Sequence, residues 1–459
     1  MFIPLLTSLF LATTVGDITW EKEYASARAR AQEEGRILFV SILSDDEARS
    51  DQFWDDIYSD RRVRALSEET VNLVACLDAQ DKKRSSSAKQ AGLSRDEARY
   101  MEAAIRDELL AKNAEGVVAS PQHLWFSPAG ELLQCVAFEM TADEMVWCFV
   151  NARRRAGLKH DPMPEGLRAP LRFLTREPYV PADGDTHGRA FTPAEVKQEL
   201  KSTKSGFTIT AGRAGRFVRL AFTDDKAARE YVYKELQSGL VTWGGTGMIV
   251  GALHTMGLVA PASGWEIFEY YGDHKEARVR NECAVGLEQL GASSGLKLIK
   301  TMLRKEKDSS VKKNWLRALG SCGRSTSAVR KQMLGLADRE RDPVLKANIL
   351  FSLGWLDHHE DVREVLVQTL HDADVDVRLR TAAVCAIALG RDESQLEAVR
   401  KFAGGDGIPA SLSEAATAAV AILEGGDLMG LQASVMDSCD DILSRERVFF
   451  RPPPEPEPR

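Results

Sequence analysis

Glu47 and Ser50 stand three residues apart in SDDEARS, and His123 is the first histidine of the chain. A serine becomes a nucleophile when a histidine takes its proton and a carboxylate orients that histidine. Ser50, His123 and Asp45 or Asp46 have the residue types for such a hydrolase or transferase centre. The competing reading is structural: Asp45, Asp46 and Glu47 cap the free N–H groups of a helix start and favour its dipole. We adopt the structural reading, because the sequence places no base beside Ser50.

Other groupings have similarly plain alternatives. The seven cysteines, Cys76, Cys135, Cys148, Cys283, Cys322, Cys385 and Cys439, include no C-x-x-C pair and no zinc-like Cys/His cluster. Most fall in apolar runs, where a free thiol acts as a small hydrophobe. A Cys135–Cys148 bridge and a thiol-based folding or stress role for Cys76, Cys135 or Cys148 are the alternatives. His358-His359-Glu360-Asp361, with His371 nearby, has metal-ligand types, but it falls between two helical patterns and reads as a solvated loop. Trp243-Gly244-Gly245-Thr246-Gly247-Met248-Ile249-Val250-Gly251 is glycine-rich, yet no strand precedes it and no Gly-Lys-Ser/Thr follows. No metal, cofactor or nucleotide is therefore expected. A net charge of -8 argues against nucleic acid as the main partner.

The elements that must hold these residues fall into two kinds. Between Ile18 and Gly157 the order reads α-β-α-β-(helix)-β-β-α. A helix pattern opens at Trp20 and ends at Gly35. Ile37–Leu43 is a continuous apolar run suited to a buried strand, followed by helical sequence through Tyr58 and a second strand over Thr70–Asp78. A charged helical insertion covers Asp81–Lys112. Two strands then flank the Ser127-Pro128-Ala129-Gly130 turn, and a helix covers Ala142–Arg155. Residues 158–193 are a proline-rich linker in which long helices are excluded.

From Asp273 to Gly390 the sequence repeats itself. With Val279, Val311, Leu345 and Val377 as anchors, the intervals are 32, 34 and 32 residues. A fixed period of this size means helical pairs that bury their apolar faces by stacking on neighbours. A unit anchored at Gly245 precedes these four and one at Leu412 follows, so residues 194–448 form one α-solenoid. Asp308, Asp342 and Asp374 stand as caps before the anchors, and a basic residue follows each: Arg280, Lys312, Lys346 and Arg378. That ladder is read as structural, and alternatively as the strip that grips a protein or peptide partner.

The N-terminal region resembles the thioredoxin-like family. The resemblance rests on the Trp20 helix, the ILFVSIL strand, Tyr58-Ser59-Asp60 with Val63, the NLVACLD strand, and Ser120-Pro121 ahead of HLWFSPAGELL. It implies a cis peptide at Pro121 beside the family's active site, and it places Glu47-Ala48-Arg49-Ser50 where that family carries Cys-x-x-Cys. Without the thiolate pair, disulfide exchange does not carry over. The repeats resemble HEAT repeats, in the short bacterial form also found in phycobilin-lyase-type proteins; lyase activity on bilins is not inferred from it. Met1–Gly16 is apolar and too short to span a bilayer, matching an export signal. The expectation is therefore an α/β domain plus an all-α array in a non-catalytic, exported interaction protein of the periplasm or cell envelope. A cytoplasmic location is the alternative. A PPPEPEPR tail, residues 449–459, is expected to be disordered.

Overall fold

The computed structural model describes residues 17–45, 47–77, 85–160, 163–164, 167–181, 190–202, 219–223, 225–243, 246–405 and 407–424. The export-signal stretch, Asp46, Cys439, the helix expected after Leu428 and the tail lie outside them. An N-terminal α/β sheet unit is followed by an array of helices. Among the described residues no helix is long and apolar enough to cross a membrane.

Helix α1 is Tyr24–Glu33, not a helix from Trp20, because the Glu23 carboxylate accepts the N–H groups of Ala25 and Ser26 and starts the helix there. Trp20 instead bridges to Asn72 beside the second strand and packs edge-on against Trp54 and Tyr58. Strand β1, Ile37–Ser44, is buried at every position and pairs in parallel with β2, Thr70–Leu77. Between them come α2, Ala48–Gln52, a π-turn over Phe53–Ile57, and α3, Arg61–Ser67. The charged insertion forms α4, Ser86–Gln90, and α5, Arg95–Glu108, the latter opened by a Ser94/Glu97 capping box. Strands β3, Gln122–Phe126, and β4, Leu132–Ala137, are antiparallel, and α6, Ala142–Arg155, follows as expected. The linker adds β5, Leu174–Thr175, so the sheet order is β2-β1-β3-β4-β5.

The array begins with α7, Pro193–Ser202, then α8, Lys226–Trp243, with Asp225 accepting the Ala228 N–H. Helix α9, Thr246–Val259, occupies the glycine-rich stretch; Gly244 and Gly245 lie outside the described residues. The rest runs in pairs: α10, Glu266–Tyr271, with α11, Ala277–Leu290; α12, Leu296–Lys305, with α13, Ser309–Gly323; α14, Ser327–Arg339, with α15, Pro343–Leu353. Next come α16, Glu360–His371, with α17, Val377–Gly390, and α18, Leu396–Arg400, with α19, Ala410–Leu423. Helices α9, α11, α13, α15, α17 and α19 stack in sequence as one layer. Its backbones approach closely: a Cβ on Gly320 would lie 2.6 Å from the Ser352 carbonyl oxygen, and one on Gly354 2.4 Å from that of Ala386.

The caps correct the register of the fourth unit. Asp308 and Asp342 cap α13 and α15 as anticipated, but α17 is capped by Asp376, not Asp374. The stretch DADVDVRLR offers two acidic-then-apolar alignments, and the one with Asp376 next to the helix prevails. Leu379, three residues after its cap, therefore takes the place of Val279, Val311 and Leu345, and like Val377 it is half-buried. Arg380, not Arg378, is the in-register basic residue.

Candidate functional site

The side chains around Ser50 form a buried polar network in which Glu47 Oε1 is left without a hydrogen-bond partner. Glu47 Oε2 accepts the Ser50 N–H at 2.7 Å, and Ser50 Oγ accepts the Ser44 N–H at 3.0 Å. Ser44 Oγ donates to Ser120 Oγ at 3.1 Å, and the Ser120–Pro121 peptide is cis. Glu47 and Ser50 are fully buried, so Glu47 caps α2 inside the protein rather than in solvent. Burial raises the Glu47 carboxyl, an effect that Arg49 only partly offsets.

His123 does not serve Ser50. Its Nε2 lies 2.9 Å from Tyr58 Oη, which in turn lies 2.6 Å from Ser41 Oγ. Burial alone pushes its pKa down to about 3, leaving a neutral ring and a weak base. Asp45 accepts from the Ser87 N–H and the Ser86 hydroxyl, and so does not orient His123. The triad is not assembled.

The thiols give no better chemistry. Cys76, Cys135 and Cys148 are unpaired and buried, which removes the Cys135–Cys148 bridge. Burial lifts Cys76 and Cys135 to about 12 and Cys148 well above its ordinary value. Thiols held protonated in this way are inert nucleophiles.

The face carrying Glu47, Ser50 and Pro121 is covered by the chain itself. Arg49 donates to the Phe222 carbonyl at 2.5 Å, and its guanidinium lies 3.8 Å from the centre of the Phe222 ring. Phe222 packs edge-on against Phe138, which also meets Phe173 and Tyr179. No sequence signal announced this cover, because Phe222 lies in a stretch with no pattern shared with the sheet unit.

A second surface was not anticipated. The α/β unit and the linker lie along the turns that end the stacked layer. Gly291, Arg324, Asp357, Arg391 and Glu424 mark these turns at intervals of 33, 33, 34 and 33 residues. Arg172 donates to the carbonyls of Leu258 and Ala260, at 3.3 and 3.0 Å, and pairs with Glu139. Leu171 packs on Gly291, whose φ of +62° suits glycine. Arg324 pairs with Glu144 at 3.1 Å, and Arg154 with Glu393 at 2.8 Å. Arg176 reaches the Glu424 carbonyl. His358 is half-buried here rather than solvated; burial, then His359 and Arg168, Arg330 and Arg324, pushes its pKa down to about 3. Among the described residues no group of three His, Cys, Asp or Glu side chains is placed to hold a metal.

The basic ladder occupies the opposite ends of the same helices. At 14 residues, α11 puts its first and last turns roughly 20 Å apart. Arg280 forms a forked pair with Glu306 of the next unit, at 2.8 and 3.0 Å, and also donates to the carbonyls of His274 and Lys275. Arg378 pairs with its own cap, Asp376, and Arg380 donates to the Leu370 carbonyl. Lys312 and Lys346 are half-buried and have no ion pair among the described residues. Two members of the ladder, Arg280 and Arg378, are therefore structural ties. The inner layer between the two edges is largely closed: from Lys313 to Gly323 every residue of α13 is buried.

Compared with known protein families and with curated proteins, the chain matches none.

Proposed function

We propose that the protein is a non-catalytic protein-interaction scaffold, a thioredoxin-like unit without redox cysteines fixed to a HEAT-type α-solenoid. The cis peptide at Ser120–Pro121 and the β2-β1-β3-β4 pairing support the first resemblance. The stacked, Asp-capped layer supports the second. The observation that carries the non-catalytic reading is the closure of the Glu47–Ser50 face by Arg49 and Phe222. A face occupied by its own chain presents neither a nucleophile nor a substrate cleft. Recognition is then assigned to the edge where Lys312 and Lys346 stand, and the partner is a protein or peptide with an acidic surface.

The test is capture of partners from cell extract by the intact chain and by a Lys312→Glu/Lys346→Glu variant whose fold is checked by circular dichroism. A partner lost from the folded variant supports this reading. A partner kept by the variant, or reduction of a disulfide substrate by the intact chain, overturns it.

A further inference from the structure

In each helix of the stacked layer, the residues two and six positions after the anchor lie roughly 200° and 240° around the axis from it. The anchors Val279, Val311 and Leu345 are buried in the array core, so these positions face away from that core. An open layer would leave them in water, yet they are covered. Two positions after the anchors stand Asn281, Lys313, Ala347 and Thr381, all buried. Six positions after them stand Val285, Arg317 and Cys385, also buried, and Phe351, half-buried. Lys313 is only 8% exposed and Arg317 only 2%. The described elements packed closely on α13 are α11 and α15 to either side and α12 and α14 behind it. Arg317 reaches sideways to Glu288 and over the Phe351 ring, which leaves the outward side of α13 to another cover. At α19, the last helix of the row, the same two positions are Glu414, exposed, and Ala418, half-buried. The cover therefore runs over α11 to α17.

Chain reach selects what lies there. Residues 203–218 leave from the end of α7 and return to Arg219, whose guanidinium sits 4.0 Å from the centre of the Phe191 ring beside the start of α7. A path out and back of that length reaches about 30 Å at most. It starts beyond α9, because α7 packs on α8 and α8 on α9, and α17 is four further steps of roughly 8–10 Å away. Residues 1–16 lead to Trp20 at the β2 edge of the sheet, the edge opposite β5. Residues 425–450 follow directly from α19, beside α17. As a helix they measure about 40 Å, against roughly 24–30 Å from α17 to α11. Leu428, Leu431, Val435 and Ile442 recur at helical spacing and suit Val285, Phe351 and Cys385. Asp437, Asp440 and Asp441 supply oxygens of the kind a buried Lys313 ammonium requires, and no Lys or Arg precedes Arg445 in this segment.

We propose that residues 425–450 lie across the outward face of α17, α15, α13 and α11, so that this surface of the array is filled by its own chain. The surface is separate from the Lys312/Lys346 edge and does not depend on it. A partner that fits it is an acidic amphipathic segment, which binds only by displacing the resident one.

The test places a benzophenone photocrosslinker at Phe351 in the full chain and maps the products by mass spectrometry. A crosslink to residues 425–450 within one molecule is expected. Products that join Phe351 instead to residues 203–218, to residues 1–16 or to a second copy overturn the proposal, as does the absence of any product with residues 425–450. A chain ending at Glu424 gives a second reading through its thiols. Cys385 labels at least tenfold faster there than in the full chain, whereas Cys283, buried on the anchor side, is unchanged. Adding the 425–450 peptide restores the protection of Cys385. Unchanged labelling of Cys385 in a truncated chain that still unfolds cooperatively overturns the proposal. If both thiols react, the truncated chain has unfolded, and the crosslink in the full chain decides.

Discussion

Arg172 offers the sharpest test of how the two halves are joined. Its side chain is 13% exposed. It spans from Glu139, just after β4, to the C-terminal carbonyls of α9, where a cation also meets the negative end of the helix dipole. Replacing it with Met keeps most of the stem's packing and removes only the charged fork. Of the carbonyl contacts, that to Ala260 at 3.0 Å is well formed, whereas those at 3.3 and 3.4 Å are marginal. One charge-assisted hydrogen bond contributes about 1.5–3 kcal/mol. The Glu139 pair adds less than a fully buried pair, because Glu139 is 29% exposed and rehydrates when left alone.

Arg172→Met is therefore expected to cost about 3 kcal/mol, weakening the junction roughly 100-fold. Arg172→Lys keeps the charge but loses the fork, and recovers about half of that. Urea unfolding followed by circular dichroism measures the loss. Hydrogen exchange shows where it falls: protection drops along α6 and the last turn of α9 before it drops in β1. A Met variant within about 0.5 kcal/mol of the intact chain, with unchanged exchange in α6, would refute the junction as drawn.

Two further outcomes follow from close contacts in the stacked layer. Gly354→Ala should destabilise by about 1–3 kcal/mol, because its Cβ meets backbone atoms of Ala386 that cannot swing aside. Gly335→Ala in α14 meets only the far end of the Arg339 side chain and should instead gain up to about 1 kcal/mol in helix propensity; equal effects from the two, read by urea unfolding, would contradict the stacking. Asp357 is buried with neither carboxyl oxygen hydrogen-bonded, and burial, then Asp392, raises its pKa well above the ordinary value. The folded state then holds a proton that the unfolded state releases, so stability falls as pH rises from the ordinary carboxylate range toward the raised value. Asp357→Asn should stabilise the protein at neutral pH and flatten the curve between pH 5 and pH 8 (conditions chosen to bracket roughly the usual range of maximal stability); an unchanged slope would discard the assignment.

Local chemistry explains which features were legible in the sequence. β1 and β2 were readable because a strand covered on both faces is apolar at nearly every position, as ILFVSIL is apart from Ser41, whose hydroxyl meets Tyr58 Oη. α6 was readable because Thr141 and Glu144 form a capping box at one end and three arginines fill the last turn at the other. β5 was not, since two residues in a proline-rich segment carry no period, and their strand character comes from pairing with Cys135 and Val136. The register of the fourth unit failed for a different reason: DADVDVRLR satisfies the pattern twice, and only the cap geometry of Asp376 decides. The row of turns has the steadiest spacing in the array, yet its members share no chemistry. Gly, Arg, Asp, Arg and Glu look alike only once each is seen ending a helix. Their contacts reach far along the chain, with Arg324 and Glu144 separated by 180 positions.

The two ends of the stacked helices carry different charge patterns, which bears on what the array can recognise. At the N-terminal ends, Asp308, Asp342 and Asp376 satisfy backbone N–H groups, with Lys312, Lys346 and Arg380 one turn further on. At the C-terminal ends, Arg172, Arg324 and Arg391 meet the negative ends of helix dipoles, and the α/β unit covers them. On the proposed reading, covering those turns leaves recognition to the opposite edge. A rigid row spaces Lys312 and Lys346 one unit apart, a geometry that a flexible pair of lysines does not hold. A partner bearing carboxylates at the same repeat distance would engage both at little ordering cost. On the proposed scaffold reading, the physical role of the α/β unit is to stiffen the array so that the opposite edge can be read.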